Sequence, residues 1–249
     1  MLKDKVLCDV RQLIQLHRDG KLGGEKMPED ENPGLELSSL ENYLYFTLPM
    51  ALNYQRNSYV LWECAHKSFL DNETKDIFYP ALVLKMSDEE LKFKLTKYKI
   101  ALQPNKQPII WRTLCNTFMT KYEGNLQRLF YENNYSVKKI KKYFIDNKKD
   151  FPYLSGNKIM NYWLYVMEQY TDLNFIDREN ITVAPDTHII QASEKLGVIT
   201  SSERNLSNIQ EVVVNRWFEL LKDTEICPID IHTPLWLWSR SKFSINLIY

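Results

Sequence analysis

The chain has 249 residues, 44% hydrophobic and 26% charged, and its 32 Lys and Arg balance its 32 Asp and Glu to a formal net charge of zero. That length carries one large domain or two smaller ones with real cores, and the composition is that of an ordinary globular chain. It excludes a binder that is strongly basic in bulk; no apolar run is long enough to span a bilayer, and the charged start at Lys3, Asp4 and Lys5 argues against a signal peptide.

Taken in order, the chain reads as helix after helix. Val6, Val10, Leu13 and Leu16 share one face of a helix over 5–18, which ends at Asp19-Gly20. The stretch 20–34, rich in Gly, Pro and acid, reads as a loop. Apolar helices over 40–53 and 58–70 flank a break at Tyr54-Gln55-Arg56-Asn57. Ser87 followed by Glu90 has the pattern of a capping box for a helix running to 98. Another helix follows over 108–122. Ser136 starts a basic helix to 147, holding Lys138, Lys139, Lys141 and Lys142, with Lys148 and Lys149 just beyond it. A turn over 152–157 leads into a strongly apolar helix over 158–170, and a polar loop reaches Pro185. Asp186 caps a helix to 196; further helices cover 208–221 and 234–239. Period-two alternation is scarce, and there is no Asn-Gly hairpin signal, so the fold class is all-α.

Cys8, Cys64, Cys115 and Cys227 lie far apart with no C-x-x-C pair, which suits reduced thiols in an intracellular protein better than a zinc or iron–sulfur site. His17, His66, His188 and His232 show no metal-ligand spacing. Neither a metal nor a cofactor is expected.

Two places carry chemistry. The first is the turn Phe151 to Ile159, where a basic helix enters, Gly156 lets the backbone approach a partner, and a buried helix leaves. The first amides of a helix have no intrahelical acceptor, so they can hold a phosphate. Lys158 falls in that first turn, facing the positive end of the helix dipole; with partial desolvation this favours the neutral amine that Schiff-base chemistry needs. The second is Pro185-Asp186-Thr187-His188, where Pro185 orders the approach and Asp186 is fixed as an N-cap. A carboxylate so fixed can also stabilise positive charge growing on a sugar.

The pair resembles the helix-hairpin-helix DNA glycosylase superfamily, whose hairpin L-P-G-V-G-x-K is followed downstream by V-D-T-H. Gly156-Asn157-Lys158 matches the end of the hairpin, with Leu154 where its first Gly stands, and Pro185 to His188 matches the second motif. The segments 48–57, 86–98 and 189–197 are similar to the family in the same order, and the longer stretch between Lys158 and Asp186 looks like the archaeal 8-oxoguanine glycosylase branch. The resemblance implies two helical lobes, 1–36 with 187–249 and 37–186, the second holding the hairpin, with a DNA-binding cleft between them. It implies a base-excision-repair DNA N-glycosylase with AP lyase activity, acting as a monomer on duplex DNA with a damaged base, 8-oxoguanine first among candidates. Lys158 is then the nucleophile and Asp186 its carboxylate partner. Ser155, Gly156, Asn157 and His188 contact DNA, and Gln55 fills the gap left by the extruded base. Trp236 and Trp238 are candidates for closing a base pocket. A glycosylase for another oxidised or alkylated base, a catalytically silent lesion-binding module and an unrelated all-α interaction protein are the alternatives.

Overall fold

A computed structural model describes residues 2–23 and 26–247. Among them there are twelve α-helices and no strand: α1 (Leu2–Arg18), α2 (Leu40–Thr47), α3 (Ser58–Leu70), α4 (Pro80–Val83), α5 (Asp88–Lys97), α6 (Gln107–Tyr122), α7 (Gln127–Glu132), α8 (Val137–Asp146), α9 (Asn157–Tyr170), α10 (Thr187–Lys195), α11 (Ile209–Leu221) and α12 (His232–Arg240). None of these helices is long and apolar enough to cross a membrane.

Short polar side chains start five of the twelve helices. Ser39, Ser87 and Ser136 accept from the third residue beyond them, Asn57 from the second, and Asp186 from both the second and third. Each satisfies an amide that the helix leaves without a partner. At Ser87 only half of the expected box forms: Glu90 donates its amide to the serine, but its carboxylate pairs with Lys94 at 3.0 Å. The expected helix over 40–53 is two pieces. α2 stops at Thr47, and a tighter 3-10 turn, Pro49–Leu52, follows, because Pro49 has no N–H to continue the ladder. The turns α4 and α7 were hidden in stretches too short to show a period.

The chain forms two compact units, Met1–Glu25 with Arg178–Tyr249, and Lys26–Asp177. Both boundaries fall earlier in the chain than the sequence suggests. The segment expected as part of the first lobe belongs to the second, because Glu29 is buried there: Trp62 Nε1 donates to its Oε1 at 2.7 Å and Tyr162 Oη to its Oε2 at 3.0 Å. Gly24 and Glu25, also inside the expected loop, lie outside the described residues. At the other boundary, the Asp177 carboxylate accepts from Ser136 Oγ at 2.9 Å and from the first amides of α8, while Arg178 pairs with Asp230 at 2.7 Å. Adjacent residues are thus committed to different units.

The first unit is built on α10 and α1 packed against α12. Val6, Val10, Leu13, Ile189, Ala192, Trp217, Leu235 and Trp238 make its core. The second is dominated by aromatic rings: Tyr45, Phe46, Trp62, Phe78, Trp111, Phe118, Phe130, Phe144, Phe151 and Trp163 are fully buried. Phe144 of α8 stacks on Phe151 at 4.1 Å and 15° and on Trp163 of α9 at 5.3 Å and 21°, clamping the two helices and the connection between them.

Burial raises the Glu29 carboxyl from 4.5 to about 7, against the opposing pull of its hydrogen bonds; Asp30 adds to the rise. A raised carboxyl binds its proton more tightly in the folded state, so its contribution is present below pH 4.5 and lost as pH climbs through about 7. The loss is on the order of 3 kcal/mol. Glu29→Gln keeps the shape, and the Tyr162 hydroxyl can rotate to accept from the new amide. In urea denaturation the variant is expected to be more stable than the native protein at pH 8, with the gap closing near pH 5; a gap independent of pH would show that Glu29 is not protonated in the fold.

Candidate nucleic-acid interface

Within the second unit, the connection 147–156 joins α8 to α9. Phe151 and Leu154 are fully buried and pin the turn from below, while Tyr153 and Ser155 between and beside them are only partly covered. To place both anchors inward, Tyr153 adopts a left-handed backbone, φ 60°. The sequence points to Leu154 as the residue replacing the motif's first glycine; the structure puts the left-handed position one residue earlier, at Tyr153. Gly156 has an ordinary φ of −71°, but a Cβ there would come within 3.1 Å of the Tyr153 carbonyl oxygen, so a side chain would crowd the turn.

Gly156 is the N-cap of α9, and no side chain caps that end, in contrast to the neighbouring α8. Lys158 stands in the first turn as expected, but it is exposed, not partly desolvated. Gly156 and Asn157 are exposed beside it. The Asn157 side chain is not free to reach outward: Asn161 Nδ2 donates to its Oδ1 at 2.8 Å and to its carbonyl at 2.7 Å. Asn161, 0% exposed, accepts in turn from Lys141 Nζ at 2.8 Å. Lys141 therefore leaves the row of lysines expected to face phosphates. It is half-buried between α8 and α9, and burial pushes its amine down to about 8, opposed by Asp177. Of the others, Lys138, Lys139, Lys148 and Lys149 are exposed, and Lys142 pairs with Asp146 at 2.9 Å.

The break at 54–57 comes to the same place. Gln55 is exposed and left-handed, φ 52°, and the Tyr54 ring before it stacks on Tyr153 at 5.5 Å and 16°. Arg56 donates to the carbonyls of Ile100 and, at 3.1 Å, Lys99, tying in a third segment whose Lys106 ammonium lies 5.2 Å from the Tyr153 ring centroid. The stretches 53–62, 98–122 and 151–167 contain no Asp or Glu at all. A chain of zero net charge thus gathers Arg56, Lys99, Lys106 and Lys158 on three carboxylate-free segments, two of them directly joined to the third. Tyr54, Tyr153, Lys99 and Lys106 were missed from the sequence; the run without acids was legible there, but not which loops it would join.

In the first unit, Asp186 Oδ1 accepts from the amides of His188 and Ile189 at 2.9 and 3.0 Å, and Oδ2 accepts from Trp236 Nε1 at 3.2 Å. The His188 ring meets Trp236 edge-on at 5.7 Å and its Nδ1 lies 3.2 Å from Ser239 Oγ. The Arg240 guanidinium covers the Trp236 ring at 4.9 Å. Trp236 is therefore grouped with Asp186 and His188, whereas Trp238 is buried in the core, its Nε1 bonded to the Ile245 carbonyl, and is unfit to close a pocket. Among the described residues no group of three or more His, Cys, Asp or Glu is placed to hold a metal ion.

No protein-family model matches the sequence, and comparison with curated proteins returns no match.

Asp186 has a structural role that can be measured apart from any chemistry. Asp186→Ala removes the cap and is expected to lower stability by about 1–2 kcal/mol in urea denaturation. Asp186→Asn retains the capping oxygen but turns its amide, a donor, toward Trp236 Nε1–H, and is expected to lose about 0.5–1 kcal/mol, less than Asp186→Ala. Equal losses in both variants would mean that the charge and the bond from Trp236, rather than the cap, stabilise this corner.

Proposed function

We propose that the protein is a DNA N-glycosylase with AP lyase activity, acting on an oxidised base such as 8-oxoguanine in duplex DNA. The observation that carries the DNA part of this reading is that Arg56, Lys99, Lys106 and Lys158 lie on three joined segments without Asp or Glu, around the uncapped start of α9. Phosphates are drawn to local positive potential and to free helix amides, whatever the bulk charge. Lys158 projects from that helix start into solvent, and Gln55 stands on the loop stacked against the same turn. The chemistry comes from the resemblance of Gly156-Asn157-Lys158 and Pro185-Asp186-Thr187-His188 to the helix-hairpin-helix glycosylases.

In this reading the Lys158 amine attacks the anomeric carbon of the extruded nucleotide, forming a C–N bond as the base departs with the glycosidic electron pair. The base takes a proton as it leaves. The new ammonium loses a proton, the sugar ring opens as the C1′–O4′ bond breaks and O4′ takes a proton, and the protonated imine so formed acidifies the neighbouring sugar carbon; loss of a proton there expels the 3′ phosphate. The resemblance assigns to Asp186, a residue of the first unit, the stabilising of positive charge on the sugar. Base extrusion costs a few kcal/mol of unstacking, which Gln55 offsets by occupying the vacated space. A specific observation also favours a second reading, a lesion-binding module without catalysis: Lys158 is exposed and lacks the partial desolvation expected of the nucleophile.

Borohydride trapping on a duplex with one 8-oxoguanine, and on one with an abasic site, separates the two. A covalent adduct is expected with the native protein and none with Lys158→Gln, which should still bind DNA. An adduct of undiminished yield in Lys158→Gln would remove that residue as nucleophile, and DNA binding with no adduct on either duplex would leave the binding module.

A further inference from the structure

The stacked pair Tyr54–Tyr153 has no part in the chemistry above, and neither ring is in the core. Tyr54 is 49% exposed and Tyr153 partly so, yet they lie nearly parallel, 5.5 Å apart, although they come from distant loops. The turn itself does not call for a tyrosine. At φ 60° a glycine would adopt the same backbone without strain, whereas a residue with a Cβ is held there at a cost of about 1–2 kcal/mol. A second left-handed residue, Gln55, directs the partner loop so that Tyr54 reaches across. What the strained position gains over glycine is an aromatic ring presented on a basic surface, with the Lys106 ammonium 5.2 Å from its centroid. Arg56 lies on the Tyr54 loop and Lys99 on the segment it ties in, and the last acid before that segment, Glu90, is paired with Lys94 at 3.0 Å.

Every nucleobase has a π-face, and flat rings beside cations are what bind it without regard to sequence. We propose that Tyr153, backed by Tyr54, is a stacking platform for an unpaired nucleobase of DNA, with Lys106 as counter-charge for that nucleotide's phosphate. The platform selects duplex in which a base has lost its partner over intact duplex. This rests on the DNA-binding reading, but not on the glycosylase chemistry.

The test uses the full chain and duplexes carrying 2-aminopurine, either paired with thymine or facing an uncleavable abasic analogue. With the native protein the unpaired duplex should bind more tightly and its 2-aminopurine fluorescence should be quenched on binding. Tyr153→Gly should lose that preference by about tenfold or more, and the quenching with it. Its thermal stability should be unchanged or higher, since glycine relieves the backbone. Tyr54→Ala, which leaves the strained turn alone, should show a smaller loss in the same direction. Retained preference and quenching in folded Tyr153→Gly overturn the platform while leaving the DNA reading intact. A Tyr153→Gly protein that unfolds, together with a Tyr54→Ala protein that binds normally, overturns it as well, because the ring would then be serving the fold. No binding to either duplex by the native protein overturns the DNA reading and the platform together; quenching without borohydride trapping removes only the chemistry.

Discussion

The candidate interface depends on the burial of Phe151 and Leu154 beneath the turn that opens α9. Phe151 lies flat on Phe144, which lies flat on Trp163, so one column of rings joins α8, the connection and α9. Three fully buried aromatic side chains bury several hundred Å² of apolar surface between them. Against that driving force, a left-handed backbone at Tyr153 is a small cost. Two anchors separated by two residues leave the chain little freedom between them. The turn closes under Tyr153, Gly156 follows because no side chain fits against the Tyr153 carbonyl, and α9 begins at Asn157. The exposure of Lys158 and the open amides around it thus follow from apolar packing several residues away.

The same packing sorts the lysines. A helix as amphipathic as α8 must send one face inward, and Val137, Ile140 and Phe144 occupy it. Lys141 follows Ile140 and falls at the margin of that face, so its stem is covered and its amine reaches the buried Asn161. Asn161 is in turn satisfied by the first residue of α9. A buried amide with all of its groups paired stiffens the junction on which Lys158 stands, since any shift of the helix start would leave polar groups unpaired. Net charge says nothing of this. The acids that cancel the lysines in the total lie elsewhere in the chain, and local absence of carboxylate is what a phosphate would sense.

What could be read from the sequence was local. Ser87, Ser136 and Asp186 act as caps because capping needs only a short polar side chain and the three residues beyond it. The first-turn position of Lys158 was legible for the same reason. The break at Pro49 was present in the sequence but masked by apolar residues on both sides, and a missing N–H outweighed the continuous pattern. The unit boundary was misplaced because a Pro- and acid-rich stretch resembles solvated loop. Nothing nearby reveals that Glu29 will meet an indole and a phenol donated from far along the chain. The pairing of Tyr54 with Tyr153 and the bond from Trp236 to Asp186 were illegible for that reason too: each joins residues with no local relation.

Asp186 shows how a structural and a chemical role can share one side chain. An ionised carboxylate offers about four acceptor sites. Two amides and one indole take three of them, so the group is fixed in position. Stabilising a developing cation is an electrostatic act that depends on that charge and its placement, and it does not require a vacant lone pair. In the proposed glycosylase reading, the hydrogen bonds that hold Asp186 as a cap also spare it from reorienting as charge develops. Asp186→Asn keeps the capping oxygen and removes the charge, at the cost of the bond from Trp236, so its effect on chemistry is read against its measured loss of stability.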